Sequence, residues 1–178
     1  MKFKSLDIPG LLLIESPVFT DERGIFLETY HLEKFREAGL NAGFVQDNIS
    51  VSNKNVLRGL HYQRPPHAQG KLVRVLHGRA IDVVVDIRKS SPTYGKHCRV
   101  ELNETNNLML WIPVGFAHGF STLDDQTVFA YKVTAYYHRD SEGGIRANDP
   151  ALAIDWGIND PVLSAKDLEL PLFNAHIY

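Results

Sequence analysis

The sequence has a single cysteine, Cys98, so it forms no internal disulfide and offers no thiolate-only metal site. It also lacks long hydrophobic runs. The early apolar stretch 11–14 is far too short for a signal peptide or a membrane span, and residues 1–7 carry charge without an apolar region. No sign of charge dominates: 19 Lys and Arg against 21 Asp and Glu leave a formal net charge of −2. That balance argues against nucleic acid and membrane as partners, and an anionic ligand has to be held by locally placed cations. Repeats, low-complexity tracts and linkers are missing as well. These absences lead to the expectation of a cytoplasmic protein.

What remains is an ordinary globular composition, with 44% hydrophobic and 22% charged residues in 178. Residues 1–178 read as one domain. Strand-like runs fall at 24–30, 44–51, 56–62, 71–77, 79–87, 99–102, 108–112, 117–122 and 127–137, with turn residues between them. Only 32–38 and 164–168 read as helix. Many short strands at close spacing predict an all-β sandwich or barrel with a few short helices.

Period-2 patterning adds detail. In 79–87, Ile81, Val83, Val85 and Ile87 share one face, while Ala80, Asp82, Val84 and Asp86 share the other. In 44–50, Gln46, Asn48 and Ser50 lie opposite Val45 and Ile49. Polar residues recurring on several strands predict a barrel with a wet, ligand-binding interior or mouth. The competing reading is a sandwich with a solvated outer face.

Of eight histidines, His31, His97, His138 and His176 fall in turn-like or terminal contexts and read as surface residues. His61, in Arg58-Gly59-Leu60-His61-Tyr62-Gln63, and His118, in Pro113-Val114-Gly115-Phe116-Ala117-His118, differ. An imidazole is the natural base near neutrality when a carboxylate orients it. The second segment matches half of a cupin metal pattern. The first half offers His61-Tyr62-Gln63, with no second histidine and no nearby acid. One histidine per half is too few for a catalytic metal. Phosphate loops, nucleophile elbows and Cys/His pairs are also missing, which leaves general acid–base chemistry.

Motifs in order along the chain carry a family resemblance. They include Asp21-Glu22-Arg23-Gly24, Phe44-Val45-Gln46-Asp47-Asn48, Leu57-Arg58-Gly59-Leu60-His61-Tyr62-Gln63, Gln69-Gly70-Lys71-Leu72-Val73, Asp82-Val83-Val84-Val85-Asp86-Ile87-Arg88, Trp111-Ile112-Pro113-Val114-Gly115-Phe116-Ala117-His118-Gly119-Phe120 and Leu163-Ser164-Ala165-Lys166-Asp167. The sequence resembles the dTDP-4-dehydrorhamnose 3,5-epimerases. The resemblance implies a cupin-type jelly-roll barrel, a homodimer, and an isomerase that works without metal or organic cofactor. Its substrate would be dTDP-4-keto-6-deoxyglucose, inverted at C3 and C5 in deoxysugar biosynthesis. His61 would be the base, Asp167 its acidic partner and Tyr131 the proton donor on the opposite sugar face. Lys71, Arg58 and His118 would contact the sugar and its enolate. Arg23, Glu28, Gln46, Asp47, Asn48, Glu142 and Lys166 would contact the nucleotide side, with Tyr137 stacked on the thymine.

The residues also admit plainer readings. Ser164-Ala165-Lys166-Asp167 fits a helix capping box. Tyr131 suits a strand core. Arg23 and Glu28 could pair with each other on the surface. Tyr137 is preferred over Tyr136 for stacking because it shares parity with Tyr131. Arg58 and His61 have opposite parity, so both reach one pocket only if Gly59 makes a bulge or bend. Arg146-Ala147 stands where the family pattern leads one to expect an aromatic. Functional alternatives are a single-carbon epimerase of a related nucleotide keto sugar, a metal-dependent cupin, and a non-catalytic sugar-nucleotide sensor.

Overall fold

The computed structural model describes all residues, Met1–Tyr178. The strands, in chain order, are β1 (Lys2–Ser5), β2 (Leu12–Glu15), β3 (Val18–Asp21), β4 (Gly24–Leu27), β5 (Gln46–Ser52), β6 (Leu57–Gln63), β7 (Lys71–His77), β8 (Arg79–Asp86), β9 (His97–Asn103), β10 (Leu108–Ile112), β11 (Phe116–Thr122), β12 (Thr127–Val133) and β13 (Glu142–Gly144). Two short helices complete the set, α1 (Leu32–Glu37) and α2 (Ala165–Leu168).

Antiparallel pairing builds a six-stranded sheet ordered β1-β2-β10-β7-β12-β5 and a five-stranded sheet ordered β13-β6-β11-β8-β9. They face each other as the cupin-type jelly roll that the family resemblance implied, within the all-β sandwich or barrel that the strand pattern predicted. Phe129 and Val73 from the first sheet meet Phe120 and Val84 from the second in one buried cluster. The Phe120 and Phe129 rings stack at 3.9 Å across the gap. Burying each such side chain contributes about 1.5–3 kcal/mol, so this layer clamps the two sheets together.

The reading of a solvated outer face fails for the five-stranded sheet. Ile81, Val83, Val85 and Ile87 are buried on its outside under Ile145, Ala147, Leu152 and Trp156. Trp156 donates its indole N–H to the Ala147 carbonyl at 2.9 Å, which pins the covering segment. The outer face of the six-stranded sheet is covered differently. Phe35 of α1 packs there with Ile14, Met109 and Trp111, while Ile49, Val51 and Leu76 stay exposed.

Several boundaries differ from the sequence expectation: β3 was not expected, and the runs at 24–30 and 44–51 narrow to β4 and shift to β5. The N-terminal segment, to which no strand was assigned, supplies β1 and β2, because Phe3 and Ile14 alternate into a buried cluster. The run expected at 127–137 ends as a strand at Val133. Beyond it the Thr134 hydroxyl accepts the Gly70 N–H at 2.8 Å and the chain leaves the sheet. The short strand β13, paired with β6, has no recognisable pattern of its own.

Candidate active site

β6 and β11 pair with His61 opposite His118, and their register shifts between His118 and Phe120. Gly59 sits at that irregularity with φ +122°, and a Cβ there would lie 2.6 Å from the Gly119 Cα. Only glycine fits on both counts. The bend is the one that parity demanded, and it turns both Arg58 and His61 to the same side.

That side is a cavity of about 510 Å³ whose lining includes Arg58, His61, Lys71, His118, Tyr131, Lys166 and Asp167. His61 and His118 come from the five-stranded sheet, whereas Lys71 and Tyr131 come from the six-stranded sheet. α2 closes the mouth with Lys166 and Asp167. An adjoining concavity of about 340 Å³ shares His61 and Lys166, and Tyr137, Arg139 and Glu142 extend it.

His61 Nε2 lies 2.6 Å from an Asp167 carboxylate oxygen. A carboxylate accepts, so Nε2 carries the hydrogen and Nδ1 keeps the lone pair. Burial pushes the Asp167 carboxyl up, but hydrogen bonds from His61, Ser164 and the Gly59 backbone outweigh it and hold it below the usual range. The capping reading holds at the same residue: the Asp167 backbone N–H donates to Ser164 Oγ at 3.1 Å. One residue does both, with its main chain in the cap and its side chain on the imidazole.

Burial lowers the Lys71 ammonium to about 8, against the opposing pull of the Asp82 and Glu142 carboxylates. Burial likewise pushes His118 below the ordinary imidazole value, although Asp82 counters it. Burial raises the Tyr131 phenol, and the Arg58 guanidinium works against that rise. Arg58 itself donates from Nε to the Ser52 hydroxyl at 3.2 Å.

A polar chain runs outward from this cavity. Lys166 Nζ lies 2.6 Å from Glu142, and the Tyr137 hydroxyl donates to the same Glu142 oxygen at 2.8 Å. The Tyr137 N–H donates to Gln46 Oε1 at 3.2 Å, and Gln46 Nε2 donates to Asn48 at 2.8 Å. Tyr137 therefore stands at the cavity margin through these bonds. The parity argument that favoured it does not apply, because it lies beyond the end of β12.

Three expected site residues are elsewhere in the single chain. Asp47 points away from Gln46 and Asn48 and pairs with Lys132 at 2.7 Å on the outer face. Arg23 and Glu28 do not pair with each other: Arg23 binds Asp21 at 2.5 Å, and Glu28 binds Lys34 at 2.7 Å. Sequence reading missed Arg139, beside Glu142, and Asp82, whose carboxylate meets His118 Nε2 at 2.8 Å. Asp82 was legible only as one of two acids on the strand face it shares with Ala80, Val84 and Asp86. Arg146, the departure from the family pattern, donates its Nε to the Leu170 carbonyl at 3.2 Å and so fastens the segment that follows α2.

A family model described as dTDP-4-dehydrorhamnose 3,5-epimerase matches residues 5–175. The dTDP-4-dehydrorhamnose 3,5-epimerase of Salmonella typhimurium is 53% identical over 169 residues, which are 94% of this chain and 92% of that one. The crystal structure of dTDP-6-deoxy-D-glucose-3,5-epimerase from Legionella pneumophila in complex with dTDP-4-keto-L-rhamnose superposes with a TM-score of 0.94 at 48% identity, covering 98% and 93% of the two chains. A 3'-monoepimerase from Streptomyces bikiniensis in complex with dTDP-quinovose superposes with a TM-score of 0.90 at 31% identity, covering 95% and 86%.

Proposed function

The chain belongs to the dTDP-4-dehydrorhamnose 3,5-epimerase family and is an isomerase, and from that premise we propose that it inverts both C3 and C5 of dTDP-4-keto-6-deoxyglucose by acid–base chemistry on its own side chains. One observation carries this reading: the His61–Asp167 pair and Tyr131 line the same cavity from facing sheets, with Lys71 in the lining beside them.

The 4-keto group acidifies the hydrogens on both neighbouring carbons. His61 Nδ1 takes a proton from C3 or C5, the C–H electrons pass into the enolate, and the Asp167 carboxylate stabilises the resulting imidazolium. Lys71 meets the negative oxygen, a contact of the kind that contributes about 10²–10³ in rate. Tyr131 gives a proton to the opposite face of the same carbon, and Arg58 nearby eases formation of its phenolate. Exchange with water returns the proton to Tyr131 and removes the one on His61. General acid–base catalysis of this kind adds about 10²–10⁴.

Gln46, Asn48, Tyr137, Glu142 and Lys166 would receive the nucleotide side of the substrate. A homodimer accounts for Arg23 and Glu28. Hairpin β3–β4 pairs only with itself and exposes Phe19, Ile25 and Phe26, while β5 exposes Ile49 and Val51, with Val45 exposed just before it. Apolar surface of this extent suits an interface between copies, with the hairpin of one copy brought to the nucleotide end of the other. No helix is long and apolar enough to cross a membrane, and a cytoplasmic location agrees with the free thiol of Cys98.

The kinship to a 3'-monoepimerase supports a second reading, inversion at one carbon only. Proton NMR of the keto sugar nucleotide in deuterated water separates the two. Loss of both H3 and H5 signals supports the 3,5-epimerase, loss of one supports the alternative, and loss of neither contradicts both.

A further inference from the structure

We propose that Asp82 is a positioning residue for this reaction, fixing the His118 ring in the cavity that Lys71 also lines; the inference rests on the epimerase reading above. Asp82 projects from β8 toward the inside of the barrel and is fully buried. One carboxylate oxygen meets His118 Nε2 at 2.8 Å, and the other is buried without any hydrogen-bond partner. Leaving a buried acceptor unpaired costs about 1–3 kcal/mol, more when it is charged. The carboxylate sits where its field reaches two groups of the cavity.

The first is His118. Because the carboxylate accepts, Nε2 carries the ring hydrogen, and the neutral imidazole presents Nδ1 as an acceptor. Burial, Lys71 and His61 all disfavour the doubly protonated ring, so His118 receives a hydrogen bond from the sugar and leaves the enolate to Lys71. The second is Lys71, which has no ion-pair partner in contact. Asp82 on β8 and Glu142 on β13 supply the negative field that keeps its proton, against burial. Other ionisable groups around this cluster include His61 on β6, His118 on β11, Tyr131 on β12 and Cys98 on β9, whose thiol is raised by burial first and then by Asp82 and Asp7.

Asp82→Asn keeps the size and an acceptor oxygen for His118 but removes the charge. The expected result is an alkaline limb of kcat displaced downward by about one unit, which is a tenfold change in the proton affinity of Lys71. KM should change much less than kcat. An unshifted limb in a folded variant overturns the proposal, since a structural defect would lower activity equally at every pH. If Asp82→Asn does not fold, the wild type decides: ring ¹⁵N shifts should show His118 protonated at Nε2 and bare at Nδ1, and the opposite tautomer overturns the assignment. A wild type that exchanges neither H3 nor H5 contradicts the epimerase reading instead, and the ¹⁵N spectrum still decides whether Asp82 fixes the ring.

Discussion

His61 and Asp167 are 106 residues apart in the chain, and their 2.6 Å contact ties β6 to α2 across the cavity mouth. An amide in place of the carboxylate removes the negative charge that stabilises the imidazolium formed when His61 takes a proton. Asp167→Asn should therefore lower kcat by about 10²–10⁴, the span of general acid–base catalysis. Dichroism and the thermal midpoint should change little, because the Ser164 cap uses the Asp167 main chain. Steady-state kinetics checks the first expectation and thermal melting the second.

Gly59 and Gly119 interlock at the bend in β6. A methyl group on Gly59 would require a contact of 2.6 Å at φ +122°. Gly59→Ala should destabilise the fold by about 1–3 kcal/mol, the cost of a strained backbone position. It should also reduce activity, since the bend is what aims Arg58 and His61 to one side. Denaturant titration reads the first effect and deuterium exchange the second.

Much of this architecture was legible in the chain, for identifiable reasons. Residues 71–77 and 108–112 read as strands with the limits of β7 and β10 because both are apolar-rich runs bounded by turn residues; they are buried on both faces, with Val73 and Leu110 on one side and Leu72 and Met109 on the other. Gln46, Asn48 and Ser50 turned inward as their shared parity required, with Ile49 left outside. The His61–Asp167 pairing rested on resemblance, since no local pattern links residues so far apart. Asp82 went unread for the same reason: its partner His118 is 36 residues away. The burial of the outer face of β8 was not legible because the segment that covers it, around Ile145 to Trp156, has almost no regular structure to announce it.

Lys71 gives the activity a sign with pH. It is charged below about 8 and loses its proton as pH rises through that value, so enolate stabilisation and kcat should fall on the alkaline side. Stability should move the other way. The folded state binds this proton less tightly than the unfolded chain, so the contribution of Lys71 to stability increases between about 8 and the ordinary lysine value of 10.5. Rate profiles and denaturation curves measured over the same pH range should diverge, and Lys71→Met should abolish the divergence.

The exposed hairpin supplies a test of assembly. Phe26→Glu should weaken the dimer in sedimentation velocity, and Arg23→Ala should leave the dimer intact. Both should weaken dTDP binding by about tenfold or more, the loss expected for a charged hydrogen bond to phosphate. Calorimetry with dTDP reads the affinity. Unchanged affinity in both variants would remove Arg23 from the nucleotide contacts.

The most direct test concerns the two faces of the sugar ring. Tyr131→Phe keeps His61, Asp167 and Lys71 and removes only the phenolic proton from the facing sheet. In deuterated water the variant should still exchange H3 and H5 while forming epimerised product far more slowly than the wild type, as read by proton NMR of one sample. Inversion at the normal rate would contradict the account, for the returning proton would then come from a group other than Tyr131.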